Sequence, residues 1–344
     1  MAVQAISSLK AAPGSHGLFV ASYKFALVHA LADLAVVKGD DSGAPLDIHT
    51  KDIAAKFVEL YWRQARPFHV GGQTTGLILQ QNTGTQAAII SQIADSQLEC
   101  GTSLFRFKQI AADRWSALVT EVDQVVRGMP LWKLQTVGAE RLEFLYENLD
   151  RGTRITLKPG VAYCFRTFYE LIRDLIEGAW VRFVQKVNAN RLGNLTDLGT
   201  FLFGQERACL EAHRPILMDV QNGLCLYCRK SLPNQSEVDH FIPWSRYPAD
   251  LGHNFVLAHK ACNNAKSDHV AAESHLAAWI ERNRQYQDEL NSRLLEVALP
   301  SDLTAVRQIA RWVYQQTAKA NGQVWATERF LKHLNPSWSE CFAA

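Results

Sequence analysis

Cys225-Leu226-Tyr227-Cys228 opens a segment that runs through Val238-Asp239-His240-Phe241-Ile242-Pro243-Trp244 and His253-Asn254-Phe255-Val256-Leu257. It closes with His259-Lys260-Ala261-Cys262-Asn263-Asn264-Ala265-Lys266-Ser267-Asp268. Three of the chain's seven cysteines and four of its eleven histidines fall between Gly223 and His269, which sets this stretch apart. Cys225 and Cys228 share one tight turn, so two thiolates aim at one point, and His259 with Cys262 repeats the spacing after residues 229–258. Two such knuckles supply the four Cys or His ligands of a closed tetrahedral Zn²⁺ site, whose binding contributes on the order of 10 kcal/mol to a small domain. The ion read from this spacing is a structural staple with no open position for catalysis. A lone CxxC can be a redox pair and a lone cysteine a small hydrophobe, but two half-sites in one segment favour the metal.

Between the knuckles, the Asp239-His240 pair, the central Asn254 and the final Asn263-Asn264-Ala265-Lys266 closely resemble, in order and spacing, the His-Asn-His (HNH) endonucleases, whose fold is the ββα-metal finger. The stretch from Asn263 to Asp268 is also similar to the end of the HNH domain in RNA-guided CRISPR nucleases. The resemblance spans residues 221–270 and implies a role for each matching position. His240 would be the general base that takes a proton from the attacking water, a task suited to imidazole because it titrates near cellular pH. Asp239 and Asn263 would give oxygen ligands to one divalent cation, Mg²⁺ or Mn²⁺, which prefer hard donors. Asn254 would tie the loop carrying His240 to the following strand and so orient the base. Lys266 and Arg246 are candidates for phosphate contacts, with a solvent-facing cation the alternative for each.

A two-metal site calls for several convergent carboxylates. The segment offers Glu237, Asp239, Asp250 and Asp268, of which Asp239 alone stands at a motif position, so one metal and one histidine fit better. Two departures from the family's commonest pattern stand out. His259 replaces one of four zinc cysteines, and Asn263 stands where many members end the catalytic triplet with His. Both keep a competent ligand, and the second shifts preference from Ni²⁺ or Zn²⁺ at the catalytic position toward Mg²⁺ or Mn²⁺.

Outside this segment the chain reads as an ordinary globular protein. Its 344 residues are 47% hydrophobic and 20% charged, enough to bury a core without disulfides. With 36 Lys and Arg against 34 Asp and Glu, net charge does not advertise a polyanionic partner, so a nucleic-acid site must be a local patch. The scattered, odd cysteine set fits a reducing cytosol. Met1 to Gly17 lacks the layout of a signal peptide, and the most apolar window, Phe25 to Val37, is interrupted by His29 and Asp33. That window falls short of the roughly 20 residues a spanning helix needs, so a cytoplasmic protein with no membrane partner is expected.

Periodicity predicts helices over Phe19 to Lys38, from a Thr50 N-cap through Tyr61, from Gln86 to Ser96, over Arg114 to Arg127 and over Val161 to Asn188. The last places Phe165, Phe168, Ile172, Leu175, Ala179 and Phe183 on one inward stripe. A strand or hairpin is expected between Val70 and Thr85, and a strand over Arg154 to Leu157 before Pro159-Gly160. Later helices are expected at His275 to Arg282, Leu303 to Thr317 and Thr327 to His333. Trp312, Trp325 and Trp338 could stack on bases, although core packing is the commoner fate of such residues.

The fold class that follows is mainly α with small β elements. We divide it into a helical recognition or regulatory domain over 1–200, a zinc-stapled HNH nuclease domain over 201–285 and a helical C-terminal extension over 286–344. A winged-helix-like reader of DNA is one form for the first. Its Tyr61-Trp62-Arg63 and Gln80-Gln81-Asn82 are similar to text in recognition modules fused to HNH restriction enzymes. The function expected is a metal-dependent endonuclease acting on DNA in bacterial restriction or anti-phage defence, with a partner protein or second copy engaged through the N-terminal domain. The rival is a non-cleaving zinc-dependent nucleic-acid-binding module, or the scaffold subunit of a defence complex.

Overall fold

The structure is a computed structural model that describes residues 21–69, 76–137, 140–147, 152–192, 198–204, 210–297 and 299–343. Cys209, the stretch before residue 21 and residues 70–75 of the expected strand or hairpin lie outside the described residues. The chain divides into two compact units, Met1–Gln205 and Glu206–Ala344. Helices predominate in both, and each sheet among the described residues has two strands, so the fold is mainly α with small β elements.

In the first unit the helix Tyr23–Lys38 is apolar on every side, and Phe25 through Val36 are all buried. A helix of that kind has to be central. It packs against Thr50–Trp62, Val161–Thr167 and Tyr169–Val187. Thr50 is the first helical residue of its helix, with His49 before it in the capping position, and its hydroxyl donates to the Thr153 carbonyl at 3.3 Å. That contact continues the antiparallel pair Leu46–His49 with Arg154–Leu157.

The single helix expected from residue 161 to 188 is two helices, broken where Phe168 takes φ −111° and ψ 25°. The break moves the inward stripe on by one residue. Tyr169, Ile172, Ile176, Trp180 and Val184 are buried, whereas Phe168 and Leu175 are 47% and 40% exposed. Trp180 fixes this phase, because its ring meets Tyr61 edge-on at 5.1 Å and its indole N–H donates to Gln81 Oε1 at 2.8 Å. Gln81 passes the network on by donating to Gln64 Oε1 at 2.8 Å. Tyr61, Trp62 and Gln81 are therefore core and not a reading surface.

Two buried ionisable groups, His29 and Asp33, lie within the central helix. His29 Nε2 is 3.3 Å from Glu177 Oε1, its Nδ1 is 3.6 Å from Asp33 Oδ1, and the Tyr169 hydroxyl donates to Asp33 at 2.7 Å. Burial opposes charge on His29, but the carboxylates of Asp33 and Glu177 outweigh it and hold the imidazole up at about 9. A folded-state value above the unfolded one means stability fully present below about pH 6.5 and lost as pH rises through about 9. We expect wild type to lose about 3 kcal/mol more than His29→Gln across that range in urea unfolding. Parallel pH profiles for the two proteins would contradict it.

In the second unit the helix Leu210–Val220 lays Ile216, Leu217 and Val220 on Phe255 and Leu257, and Leu290, Leu294 and Leu299 close the same core. Helices follow at Glu273–Gln285, Gln287–Glu296 and Leu303–Lys319. The helix expected at 327–333 is instead the second half of a hairpin, Gln323–Thr327 paired antiparallel with Phe330–His333. Val324 and Trp325 are buried, and the Trp325 backbone accepts from Ala272 N and donates to Val270 O, both at 2.8 Å. A strand can offer those main-chain groups sideways, whereas a helix uses them internally. Trp312 and Trp325 fill this core, and Trp338 stacks on Tyr314 at 6.1 Å, so none of the three is a free platform for bases.

Candidate functional site

The site is built on the strand Glu237–His240, the returning strand Phe255–Ala258 and the helix Lys260–Lys266. The strands are antiparallel, with Asp239 opposite Val256 and His240 opposite Phe255. Beside them the chain turns sharply at Cys225 to Cys228. Arg229 adopts φ +59°, its N–H donating to Cys225 O at 3.0 Å, while Cys225 N donates to Lys230 O at 2.9 Å. This reversal brings Cys225, Cys228, His259 and Cys262 together, their ligand atoms all within 4.8 Å of one another.

The donors fit Zn²⁺. Bonds of about 2.0–2.3 Å in a tetrahedron place ligand atoms ~3.3–3.8 Å apart, inside the spread found here. His259 Nε2 lies 2.9 Å from the Ser231 carbonyl, which can only accept, so that nitrogen carries the proton and Nδ1 keeps its lone pair. Nδ1 is 3.2 Å from Cys228 Sγ, on the side of the thiols. Burial, with the negative charge of Cys225 and Cys228, pushes the Cys262 thiol up to about 12. A divalent cation at the centre removes that penalty, because three thiolates then face positive charge and not one another.

The other side of the helix makes two parallel rungs to the first strand. Asn263 Nδ2 donates to Glu237 Oε2 at 2.9 Å, and Lys266 Nζ lies 3.1 Å from Asp239 Oδ2. Residues three apart on a helix and two apart on a strand each share a face, which is why both rungs form. Asp239 Oδ2 also accepts from the Tyr227 hydroxyl at 2.5 Å. Its Oδ1 makes no hydrogen bond among the described residues and is not buried. Asn263 engages through its amide nitrogen, which turns its carbonyl oxygen away from Glu237.

Lys266, read from the sequence as a candidate phosphate contact or a solvent-facing cation, is internal instead. It is 1% exposed, and its ammonium donates to the His240 carbonyl at 2.8 Å besides pairing with Asp239. The last helical turn carries it into the sheet, where two oxygens satisfy it. Arg246 is exposed, as a phosphate contact requires. Lys266→Met should destabilise the protein by about 3 kcal/mol, since it strands the His240 carbonyl and half of a buried ion pair. Urea denaturation of the zinc-loaded protein measures this, and a change under about 1 kcal/mol would count against the strut.

His240 ends its strand with its ring on the Phe255 side of the hairpin, 4.6 Å from that ring and 5.5 Å from Trp244. Its Nε2 is 2.8 Å from Asp250 Oδ1. Asn254 accepts from Ile242 N at 2.8 Å and donates to Ile242 O at 3.0 Å, holding the loop that leaves His240. Just before it, the His253 carbonyl accepts from Trp279 Nε1 at 3.0 Å and from Arg282 and Asn283, each at 3.1 Å. Tyr227, Glu237 and Asp250 are contacts that sequence reasoning gave no role. The acidic residues were visible in the segment, but neither occupies a motif position, and Tyr227 sat unremarked inside its knuckle.

A two-strand hairpin, a short helix and a four-ligand knuckle define a zinc-type ββα finger. Residues 225–269 match the family model of the HNH endonucleases, so the chain carries an HNH domain over that span. Such a domain points to a nuclease-like or nucleic-acid-acting function. Neither the curated proteins nor the solved structures gave a match to the chain. Among the described residues no helix is long and apolar enough to cross a membrane.

Proposed function

We propose that the protein is a metal-dependent endonuclease that hydrolyses DNA phosphodiester bonds, with His240 as general base and Asp239 and Asn263 holding one Mg²⁺ or Mn²⁺. The observation that carries this reading is the state of Asp239: one carboxylate oxygen is pinned by Tyr227 and Lys266, and the other makes no hydrogen bond among the described residues and is not buried. An anionic oxygen and an amide oxygen are hard donors suited to those ions, which keep several waters and need few protein ligands. When bound, the cation offsets charge on the phosphoryl oxygens and the departing 3′ oxygen. The chain's own work is then orientation. Lys266 and Tyr227 fix the carboxylate, Glu237 fixes the Asn263 amide, and Asn254 fixes the loop after His240. Arg246, which is exposed, is the proposed phosphate contact.

We also propose the setting: restriction or anti-phage defence in the cytoplasm, with the first unit selecting DNA or docking a partner or second copy. A fusion of a short finger to a much larger helical unit supports that division of labour. One observation favours the rival, a finger that binds without cutting, because Lys266 already neutralises part of the Asp239 charge. The test is to incubate wild type and His240→Ala with unmodified and modified plasmid in Mg²⁺ or Mn²⁺. Nicks from wild type alone support the enzyme, binding without nicks supports the rival, and equal products from both remove His240 as base.

A further inference from the structure

Every contact made by the His240 ring converges on one orientation. Phe255 lies against it at 4.6 Å, Trp244 meets it edge-on at 5.5 Å, and Asp250 takes Nε2 at 2.8 Å. The Asp250 side chain is 8% exposed and that of His240 is 20% exposed, so the polar contact is largely shielded from competing water. His240 Nδ1 makes no hydrogen bond among the described residues and is not a buried atom. The imidazole is thus held by one nitrogen and open at the other. A carboxylate only accepts, so a neutral imidazole in this pose carries its proton on Nε2 and its lone pair on Nδ1.

We infer that Asp250 is the positioning residue of the nuclease: it fixes His240 as the Nε2–H tautomer and thereby makes Nδ1 the atom that accepts the proton from water. This deepens the endonuclease reading above and rests on it. In the step, Nδ1 takes a proton from water as that oxygen bonds to phosphorus. The bond from phosphorus to the 3′ oxygen breaks with its electron pair on oxygen, which takes a proton from solvent water. His240 then returns its proton to solvent. Asp250 keeps its charge throughout and steadies the imidazolium while it lasts. Without the carboxylate the ring can populate the other tautomer, whose outward nitrogen is a donor and cannot act as a base.

The experiment is direct on the full-length protein. Long-range proton–nitrogen spectra of chain labelled at its histidine rings, with His240 assigned by its loss in His240→Ala, report which nitrogen is protonated in the neutral ring. Wild type is expected to show Nε2–H at His240, and Asp250→Asn, whose amide can donate to Nε2, a shift toward Nδ1–H. Single-turnover cleavage by Asp250→Asn should fall at least ~100-fold, since the wrong tautomer at an otherwise intact triad costs up to ~10⁴. Plasmid affinity and melting temperature should stay near wild type, and Asp250→Glu should recover part of the rate. A merely structural Asp250 would move the melt or the affinity and leave the tautomer alone. An active wild type with Nδ1–H, or an unchanged tautomer and rate in Asp250→Asn, overturns the Asp250 assignment only. A wild type that cuts nothing, whatever its spectra, removes the nuclease reading and this inference with it.

Discussion

Cys225→Ser should lose its bound zinc and with it the cooperative unfolding of the finger. Cys225 is fully buried, and the knuckle it opens is joined to the hairpin through Leu226 N, which donates to Leu257 O at 3.2 Å. Residues 225–269 contribute two four-residue strands and a seven-residue helix, too little regular structure to stand on packing alone. A structural zinc is worth on the order of 10 kcal/mol at neutral pH, comparable to the whole stability of an ordinary domain. Serine keeps the shape of the side chain but has no thiolate, so the loss is a loss of ligation. Metal analysis should read one zinc per chain in wild type and well under half of that in the variant. A strong chelator should bring wild type to the same state. A melt indistinguishable from wild type would remove the staple.

His240→Ala should behave in the opposite way, keeping zinc and most of its stability while losing the chemistry. On the proposed mechanism, removing the general base lowers rate by about 10²–10⁴, while the Asp239 and Asn263 oxygens proposed to hold the metal stay in place. The ring's packing on Phe255 and Trp244 is partly exposed, so truncation costs about 1–2 kcal/mol of stability and leaves a folded protein. Single-turnover cleavage with enzyme in excess over plasmid separates this from weaker binding. Retention of more than about a tenth of the wild-type rate would mean that another group takes the proton.

The knuckles and the HNH-like segment were legible because their chemistry is local. Cys225, Cys228, His259 and Cys262 carry donors at fixed spacing, and no long-range packing is needed to see that they can share an ion. Lys266 and Asp250 show the limit. A lysine at the end of a helix reads as a solvated cation, and only the pairing of helix to strand reveals that its ammonium is internal. Asp250 sits in a loop, where no periodicity says which way a side chain turns, and its contact with His240 exists only once the chain has folded back. Elsewhere the errors were of phase and type. Phe168 and Leu175 look like core by composition, but the break at Phe168 re-registers the helix around Trp180. The stretch 327–333 has charged text compatible with a helix, while the strand signal lies upstream in Val324 and Trp325.

The junction at His253 bears on how far the HNH domain extends. The sequence match ends at residue 269, yet the carbonyl one residue before Asn254 is held by Trp279, Arg282 and Asn283, and Leu290, Leu294 and Leu299 complete the core beneath Phe255. A fragment trimmed to the motif would leave that carbonyl wet and the underside of the hairpin bare. Anyone grafting this domain onto another protein should carry the segment from residue 210 to beyond 299, because the borders of recognisable text are narrower than those of the piece that can be transplanted.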